Sequence, residues 1–240
     1  VVQNHRNVLH GCMRRTNLQK VAPSDRMQSI NFEARLYVRA SLAFDDPTYR
    51  QVASETIEYV LRDLRHPDGG FFSAEDADSL DADGHSHEGA FYVFTVDEVR
   101  SALGADADVL LDWYEFTDER HAGGNFEGRF IPTRRWHRGE LARPADVERA
   151  RTALFAYRST RPRPGLDDKV LVEWNALMLA TLAEAAAAFG RADWLAAATA
   201  NAEFLLAELR GGDRRWYRSW HAEGDPRARH AALANDHAAL

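Results

Sequence analysis

The stretch PTYRQVASETIEYVLRDL, residues 47–64, carries the pattern that decides the fold. Its apolar side chains recur at intervals of three and four residues, and they are Tyr49, Val52, Ala53, Ile57, Val60, Leu61 and Leu64. Such spacing predicts an α-helix with one buried face. Asp46 is the predicted N-cap, because Pro47 at the next position has no N–H group to satisfy. Phe32, Leu36 and Ala40 repeat every four residues and predict a helix before it.

The same pattern returns 145 residues further along the chain. Under this shift Tyr49 falls on Trp194, and the aromatic pair Phe71-Phe72 falls on Trp216-Tyr217. The repeating unit is therefore a helical hairpin followed by a loop that ends in paired aromatic residues. One hairpin cannot bury its own apolar face, so hairpins of this kind stack in a solenoid or close into an α/α toroid. The long acidic and aromatic loops favour the toroid.

Other local signals predict the remaining elements. Thr95 and Glu98 form a capping-box pattern for a helix that ends at Gly104. Two aromatic runs, residues 71–73 and 90–94, are predicted strands of a small β-hairpin around an acidic loop. Further helices are expected over residues 108–114, 144–158, 171–189 and 192–209. Residues 1–30 lack a sustained apolar period and are expected to be an irregular lead-in, with residues 31–240 forming part of one toroid domain.

Composition excludes several classes of protein. The 240 residues carry a net charge of −7, which argues against a nucleic-acid binder with a basic face. No apolar run reaches the ~18–20 residues of a membrane span, and no secretory signal is evident, so we expect a cytoplasmic protein. A single cysteine, Cys12, excludes an internal disulfide framework and a multi-cysteine zinc site.

Residues 75–88 form an acidic loop with six carboxylates. Closely spaced carboxylates can supply the acid and base of glycoside chemistry, and Glu75, Asp76 and Asp78 lie nearest the aromatic pair. A calcium-loop pattern is almost present but lacks the carboxylates needed at its first and last positions. His85 and His87 are interpreted as part of a solvated tip, and no metal site is expected.

A second candidate cluster begins at Asp167-Asp168-Lys169, just before a predicted helix. Trp174 and Asn175 follow within about the first turn. Aspartates at a helix N-terminus are explained by capping and by the helix dipole alone. A flat indole and an amide beside paired carboxylates would also suit a sugar, so both interpretations stay open. Asp236 opens a later helix, where capping is favoured, and the glycine-rich residues 123–128 lack the spacing of a phosphate-binding loop.

Three segments together resemble the spermatogenesis-associated protein 20 family, whose bacterial members are often called thioredoxin domain-containing proteins. They are GGFFSAEDADS at residues 69–79, EGAFYVFT at 88–95 and DDKVLVEWNALM at 167–178. The resemblance implies a six-hairpin α/α toroid like those of glycoside hydrolases and N-acylglucosamine 2-epimerases. In the family a thioredoxin-like domain precedes the toroid. We expect no such domain in this sequence, and we expect the chain to be a fragment or a truncated copy.

These observations predict an all-α fold: a partial (α/α)6 toroid with a small β-hairpin insertion. One hypothesis is a sugar-active enzyme, resembling a glycoside hydrolase or an epimerase, in which Glu75 or Asp76 works with Asp168 as an acid/base pair. The expected ligand-binding residues are Phe72, Asp78, Asp167, Lys169, Trp174, Asn175 and Asp236. The alternative is a non-catalytic module that positions a thioredoxin-like domain or another protein partner. No cofactor is expected, and uncovered helix faces predict self-association.

The two acidic segments are also expected to lie close together. In an antiparallel hairpin the loop after the second helix and the start of a first helix lie at the same end. We therefore predict that residues 73–79 and 167–169 line one cleft. Their carboxylates would then raise one another's pKa values.

Overall fold

Most of the chain that the structure describes is helical, and small antiparallel sheets join the helices. The computed structural model describes residues 27–81, 83–116, 129–132, 143–224 and 226–240. Most of the predicted lead-in, residues 1–26, and the glycine-rich residues 123–128 lie outside the described residues.

The elements follow one another in a mixed order. The helices are α1 (Met27–Phe44), α2 (Pro47–Asp63), α3 (Val96–Leu103), α4 (Ala107–Trp113), α5 (Ala145–Arg158), α6 (Val172–Phe189), α7 (Ala192–Glu208) and α8 (Ala234–Ala239). The strands are β1 (Ala74–Glu75), β2 (Asp78–Leu80), β3 (Ser86–Glu88), β4 (Leu166–Asp167), β5 (Lys169–Leu171), β6 (Tyr217–His221) and β7 (Ala228–Ala231).

The chain divides into two compact units. The first, here called the hairpin unit, consists of Ser24–Asp76 and Leu166–Leu240. The second, here called the inserted unit, includes Ala77–Gly165.

The 145-residue repeat is confirmed in the backbone of the hairpin unit. Helices α1 and α2, shifted by 145 residues, coincide at both ends with α6 and α7. The closing loops repeat as well, because the isolated bridge between Arg65 and Phe71 has its counterpart between Arg210 and Trp216. The predicted cap of α2 is also present, since the Asp46 carboxylate accepts a 2.9 Å hydrogen bond from the Thr48 N–H.

Packing within the hairpin unit joins the two hairpins through their first helices. Helix α1 packs on α2, α6 packs on α7, and α1 also packs on α6. The buried side chains include Val38, Ile57, Met178, Leu182 and Trp194. Strands β5, β6 and β7 form an antiparallel sheet, with Val170 opposite Trp220.

The inserted unit contains a second core around α3, α4 and α5. Its buried residues include Val99, Leu110, Val147 and Leu154. The predicted capping box is confirmed, because Thr95 accepts from the Glu98 N–H while the Glu98 carboxylate accepts from the Thr95 N–H.

The predicted strand over residues 90–94 is wrong. Within this run Phe94 alone makes a bridge, to Phe130, and the residues before it form turns. The Arg161 guanidinium explains the difference, since its Nη1 donates to the carbonyl oxygens of Ala90, Phe91 and Val93 at 3.3, 3.1 and 2.7 Å. An arginine side chain thus satisfies carbonyls that a partner strand would otherwise bind.

The β-hairpin lies inside the acidic loop instead. Strands β2 and β3 pair antiparallel, with Ser79 opposite His87. The predicted strand over residues 71–73 is likewise displaced, because β1 begins at Ala74.

None of the helices in the described ranges is long and apolar enough to cross a membrane.

Candidate functional site

The two acidic segments of the hairpin unit meet in a short antiparallel ladder. Strand β1 pairs with β4, and Ala74 lies opposite Asp167. Just before the ladder, the Ser73 N–H donates to the Asp167 carbonyl at 3.2 Å, and the Ser73 hydroxyl donates to the Lys169 carbonyl at 2.7 Å. The predicted approach of these segments is therefore confirmed for residues 73–75 and 166–169.

The carboxylates of this ladder have different surroundings. Glu75 is buried, and its Oε2 accepts a 2.9 Å hydrogen bond from the Tyr59 hydroxyl. Asp76 is exposed and follows β1. Because the ladder is antiparallel, Asp76 after β1 and Asp168 after β4 leave the ladder at opposite ends. The strand pairing therefore does not place Asp76 opposite Asp168, as an acid/base pair would require.

Asp168 faces a histidine and a backbone N–H group. Its Oδ2 accepts from the Glu223 N–H at 2.7 Å, and its Oδ1 lies 3.6 Å from His221 Nδ1. Burial acts to raise the pKa of Asp168, but the Glu223 hydrogen bond and His221 outweigh it and lower the pKa below its usual value. The predicted rise in pKa is wrong for Asp168, because the groups nearest its carboxylate are the Glu223 N–H and His221 and not other carboxylates.

Asp167 and Lys169 pair with each other at the surface of the ladder. Lys169 Nζ lies 2.9 Å from Asp167 Oδ2, and both side chains are partly exposed. In this geometry the lysine neutralises the neighbouring carboxylate.

Asn175 is buried and holds the backbone of the first closing loop. Its Oδ1 accepts from the Phe71 N–H at 2.7 Å, and its Nδ2 donates to the carbonyls of Phe71 and Leu171 at 3.0 and 2.9 Å. Asn201, which the sequence analysis did not single out, donates to Asn175 Oδ1 and to the Gly69 carbonyl, both at 2.9 Å. Asn175 thus holds the backbone of this loop, and its predicted contact with a ligand stays a prediction.

The other predicted residues are dispersed. Phe72 is half-buried against the His66 ring, with centroids 5.6 Å apart, and Asp78 is exposed in the inserted unit. Asp236 is buried, and its Oδ2 accepts from the Leu233 N–H at 2.7 Å and from Arg218 Nη1 at 3.1 Å. This agrees with the favoured interpretation of Asp236 as a residue that stabilises a helix start.

A cavity of about 450 Å³ lies between α1 and α6 in the hairpin unit. Its lining comprises Ser29, Asn31, Phe32, Glu33, Arg35, Leu177 and Thr181. Glu75, Asp76 and Asp168 are not part of the lining that the described residues provide. Phe32, which belongs to the predicted apolar stripe of α1, is 71% exposed.

Asn31 carries a polar atom without a partner in this cavity wall. The residue is 2% exposed, and its Nδ2 donates to the Trp174 carbonyl at 2.7 Å. Among the described residues, nothing donates to its buried Oδ1. Leaving such an acceptor unsatisfied costs about 1–3 kcal/mol.

Trp174 lies one turn before the α6 residues that line this cavity. Its spacing of three and seven residues from Leu177 and Thr181 places all three on one helix face. Sequence reasoning missed the cavity itself, although an asparagine at the start of a predicted apolar helix was a visible signal.

Paired hairpins that repeat after 145 residues, with a cavity between their first helices, define a helical-hairpin repeat protein. The aligned part of the chain belongs to the spermatogenesis-associated protein 20 family. The human member is 35% identical over 214 aligned positions, covering 75% of this chain and 27% of that protein, and the mouse member is 34% identical with the same coverage. The chain thus spans about a quarter of the length of these relatives. No family model matches it.

Solved structures of sugar-converting enzymes are similar to the chain at a low level. Cellobiose 2-epimerase from Spirochaeta thermophila aligns with 90% of this chain and 51% of its own, at 13% identity and a TM-score of 0.26. A D-mannose isomerase aligns with 82% of this chain and 44% of its own, at 12% identity and the same TM-score. Likeness at this level carries no inference about activity.

Proposed function

We propose that the chain binds a small carbohydrate-like molecule in the cavity between α1 and α6, as part of an α/α toroid. The observation that carries this proposal is the mixed lining of the cavity, in which the exposed Phe32 ring lies beside Ser29 and Glu33. The packing of the two equivalent first helices supports the toroid.

The chemistry of the lining suits a sugar. Sugar hydroxyls can form hydrogen bonds with the polar part of the lining, while the apolar C–H face of a pyranose ring can pack on the exposed Phe32 ring. Ser29 and Glu33 add further polar groups beside the apolar Leu177. The volume falls in the range of about 300–1,000 Å³ that is typical of small-molecule pockets.

Binding is favoured over catalysis by the state of the carboxylates. Glycoside chemistry needs two carboxyl groups on either side of one bond, about 5–9.5 Å apart. Here Glu75 bonds to Tyr59, Asp167 pairs with Lys169, and Asp168 bonds to the Glu223 backbone. The enzymatic alternative requires Glu75, Asp76 and Asp168 to turn towards a ligand that the present contacts do not direct them to.

Calorimetry on the full 240-residue chain tests the binding proposal. The probes are D-glucose, D-mannose, N-acetyl-D-glucosamine and cellobiose. Phe32→Ala is expected to weaken binding about fivefold to tenfold, because it removes roughly 1 kcal/mol of apolar contact. Leu42→Ala is the matched control, since Leu42 is 61% exposed on the same helix but lies outside the cavity lining.

Two results would contradict the proposal. If none of the four sugars binds, the carbohydrate class is wrong. If binding occurs but the Phe32 and Leu42 variants bind equally well, the ligand lies elsewhere. Incubation of each bound sugar with the chain, followed by NMR of the products, separates an enzyme from a binding module. Product formation that Glu75→Gln and Asp168→Asn abolish would support the acid/base hypothesis.

The second candidate function, a module that docks a protein partner, is favoured by one observation on α7. Leu195 and Leu206 are 53% and 52% exposed, and their spacing of eleven residues places them on the same helix face. Sedimentation of the chain at rising concentration tests self-association through this face. Leu195→Glu with Leu206→Glu should abolish any association, and a wild-type chain that remains monomeric would exclude a second copy of the chain as the partner.

A further inference from the structure

A turn in the inserted unit is closed by its own backbone hydrogen bonds. The Asp81 N–H donates to the His85 carbonyl at 2.8 Å, and the Gly84 N–H donates to the Asp81 carbonyl at 3.2 Å. Gly84 has a φ of +83°, which a glycine adopts without strain. Strand β3 follows at once and places His87 opposite Ser79. The turn therefore brings His85 and His87 close to Asp81.

The three side chains converge on one point. Asp81 Oδ2 lies 3.3 Å from His87 Nε2 and 3.9 Å from His85 Nδ1. All three atoms lie within 4.8 Å of one another. Ligands about 2.1 Å from a tetrahedral Zn²⁺ are separated by roughly 3.4 Å, so small side-chain rotations would complete the geometry.

The Asp81 carboxylate is held in place before any ion binds. Its Oδ1 accepts hydrogen bonds from the Asp83 and His85 N–H groups, both at 2.9 Å. These bonds leave Oδ2 directed at the two imidazoles. Such support from the backbone is typical of ligands around a metal ion.

We propose that Asp81, His85 and His87 bind a divalent first-row transition-metal ion, and that this ion is Zn²⁺. Two imidazole nitrogens and one carboxylate oxygen are ligands that Zn²⁺ accepts, and water completes the coordination. All three side chains are accessible, with exposed side-chain fractions of 23%, 74% and 46% in that order. The ion can enter without any opening of the fold. The site is independent of the proposed sugar cavity.

Calorimetric titration of the untagged full chain with ZnCl₂ tests the site. Asp81→Asn keeps an amide oxygen for the two N–H groups but loses the anionic Oδ2 ligand. Asp83→Asn is its matched control, because it removes the same charge from the same turn and Asp83 contributes only its backbone N–H. His85→Ala and His87→Ala are compared with His237→Ala, which alters an exposed histidine elsewhere.

The three ligand variants are expected to weaken Zn²⁺ binding at least about tenfold, since even indirect partners of a metal cost 10–100-fold. The two controls should bind as the wild type does. Co²⁺ provides a second readout, because its visible absorption should develop in the wild type and be lost in His87→Ala. Absence of Zn²⁺ binding would overturn the proposal. The proposal would also be overturned if the ligand variants and the control variants bound Zn²⁺ with the same affinity as one another.

Discussion

The loops that close the two hairpins share a backbone but have different surroundings. In the first, the Phe72 N–H donates to the Leu64 carbonyl at 2.8 Å, and in the second the Tyr217 N–H donates to the Leu209 carbonyl at the same distance. Leu209 and Tyr217 lie 145 residues after Leu64 and Phe72. Local sequence therefore produces the same turn twice.

Contact with a neighbouring helix distinguishes the two loops. Gly69, with φ +109°, lies so close to α7 that a Cβ atom would approach the Ala200 carbonyl oxygen to 2.5 Å. Its counterpart Arg214 also has a positive φ, of +67°, but is exposed. The backbone requires a positive φ at both positions, whereas only the packed loop requires glycine. The comparison shows that the repeated local sequence produces the positive φ, whereas packing against α7 restricts the position to glycine.

Asn175→Ala should have the largest effect, because it removes the side-chain hydrogen bonds that hold the backbone of the first closing loop. The change leaves the Phe71 N–H, two backbone carbonyls and the Asn201 amide without their partner, so we expect a loss of about 4 kcal/mol in the free energy of unfolding. Urea denaturation followed by circular dichroism measures it. The control Asn235→Ala alters an exposed residue and should change stability by less than about 0.5 kcal/mol. Equal urea midpoints for both variants would show that the Asn175 hydrogen bonds do not stabilise the fold.

Gly69→Ala should cost about 3 kcal/mol, since the new methyl group meets backbone atoms and the φ is unfavourable. Gly212→Ala in the second loop has open space around its Cβ and should be neutral or slightly stabilising. Thermal unfolding of both variants provides the comparison. If Gly69→Ala unfolds at the wild-type temperature, the first loop does not pack on α7 as described.

Arg214→Gly should stabilise the protein by about 0.5 kcal/mol. A positive φ costs a residue with a side chain roughly 1–2 kcal/mol, and the greater freedom of glycine in the unfolded chain offsets part of the gain. The shift in urea midpoint, at unchanged slope, is the measurement. A destabilised variant would mean that the Arg214 side chain contributes more than its exposure indicates.

Glu184→Gln should have the smallest effect, because its ion pairs are partly exposed. Arg39 and Glu184 occupy equivalent positions of α1 and α6, and they pair at 2.7 Å while Arg35 binds the same carboxylate. The Arg39 hydrogen bond is the main cause of a lowered Glu184 pKa. We expect a loss of about 0.5 kcal/mol at pH 7.

The pH dependence of that loss follows from the lowered pKa. A carboxyl group with a depressed pKa in the folded state stabilises the protein above its ordinary pKa of about 4.3 and loses that contribution as the pH falls further. The wild type and Glu184→Gln should therefore differ at pH 7 and converge in acid, below the lowered pKa. A difference that persists or grows in acid would contradict the ion-pair explanation. High salt should also reduce it.

Helix ends and the repeat could be predicted because their signals are local. The cap at Asp46, the capping box at Thr95 and the equivalent hairpins all depend on residues a few positions apart. The strand predicted over residues 90–94 failed because its carbonyls bind Arg161, about 70 residues away in the chain. No local pattern indicates such a partner.

The candidate sites depend on distant residues in the same way. Asn175 was interpreted as a ligand contact, yet its partner Phe71 lies 104 residues earlier, and a buried amide looks like an exposed one in sequence. The cavity at Asn31 arises only where α1 meets α6. The convergence of Asp81 with His85 and His87 depends on the register of β2 and β3, which was not predicted.

The helical hairpins, their 145-residue repeat and the family resemblance follow from the amino-acid sequence alone, because periodicity and capping act over single turns of the chain. Tertiary packing is needed to show which polar side chains form buried hydrogen bonds, which line a cavity and which meet at a turn. The physical reason is that a polar group's role follows from the partner that satisfies it, and in a folded chain that partner is often distant in sequence.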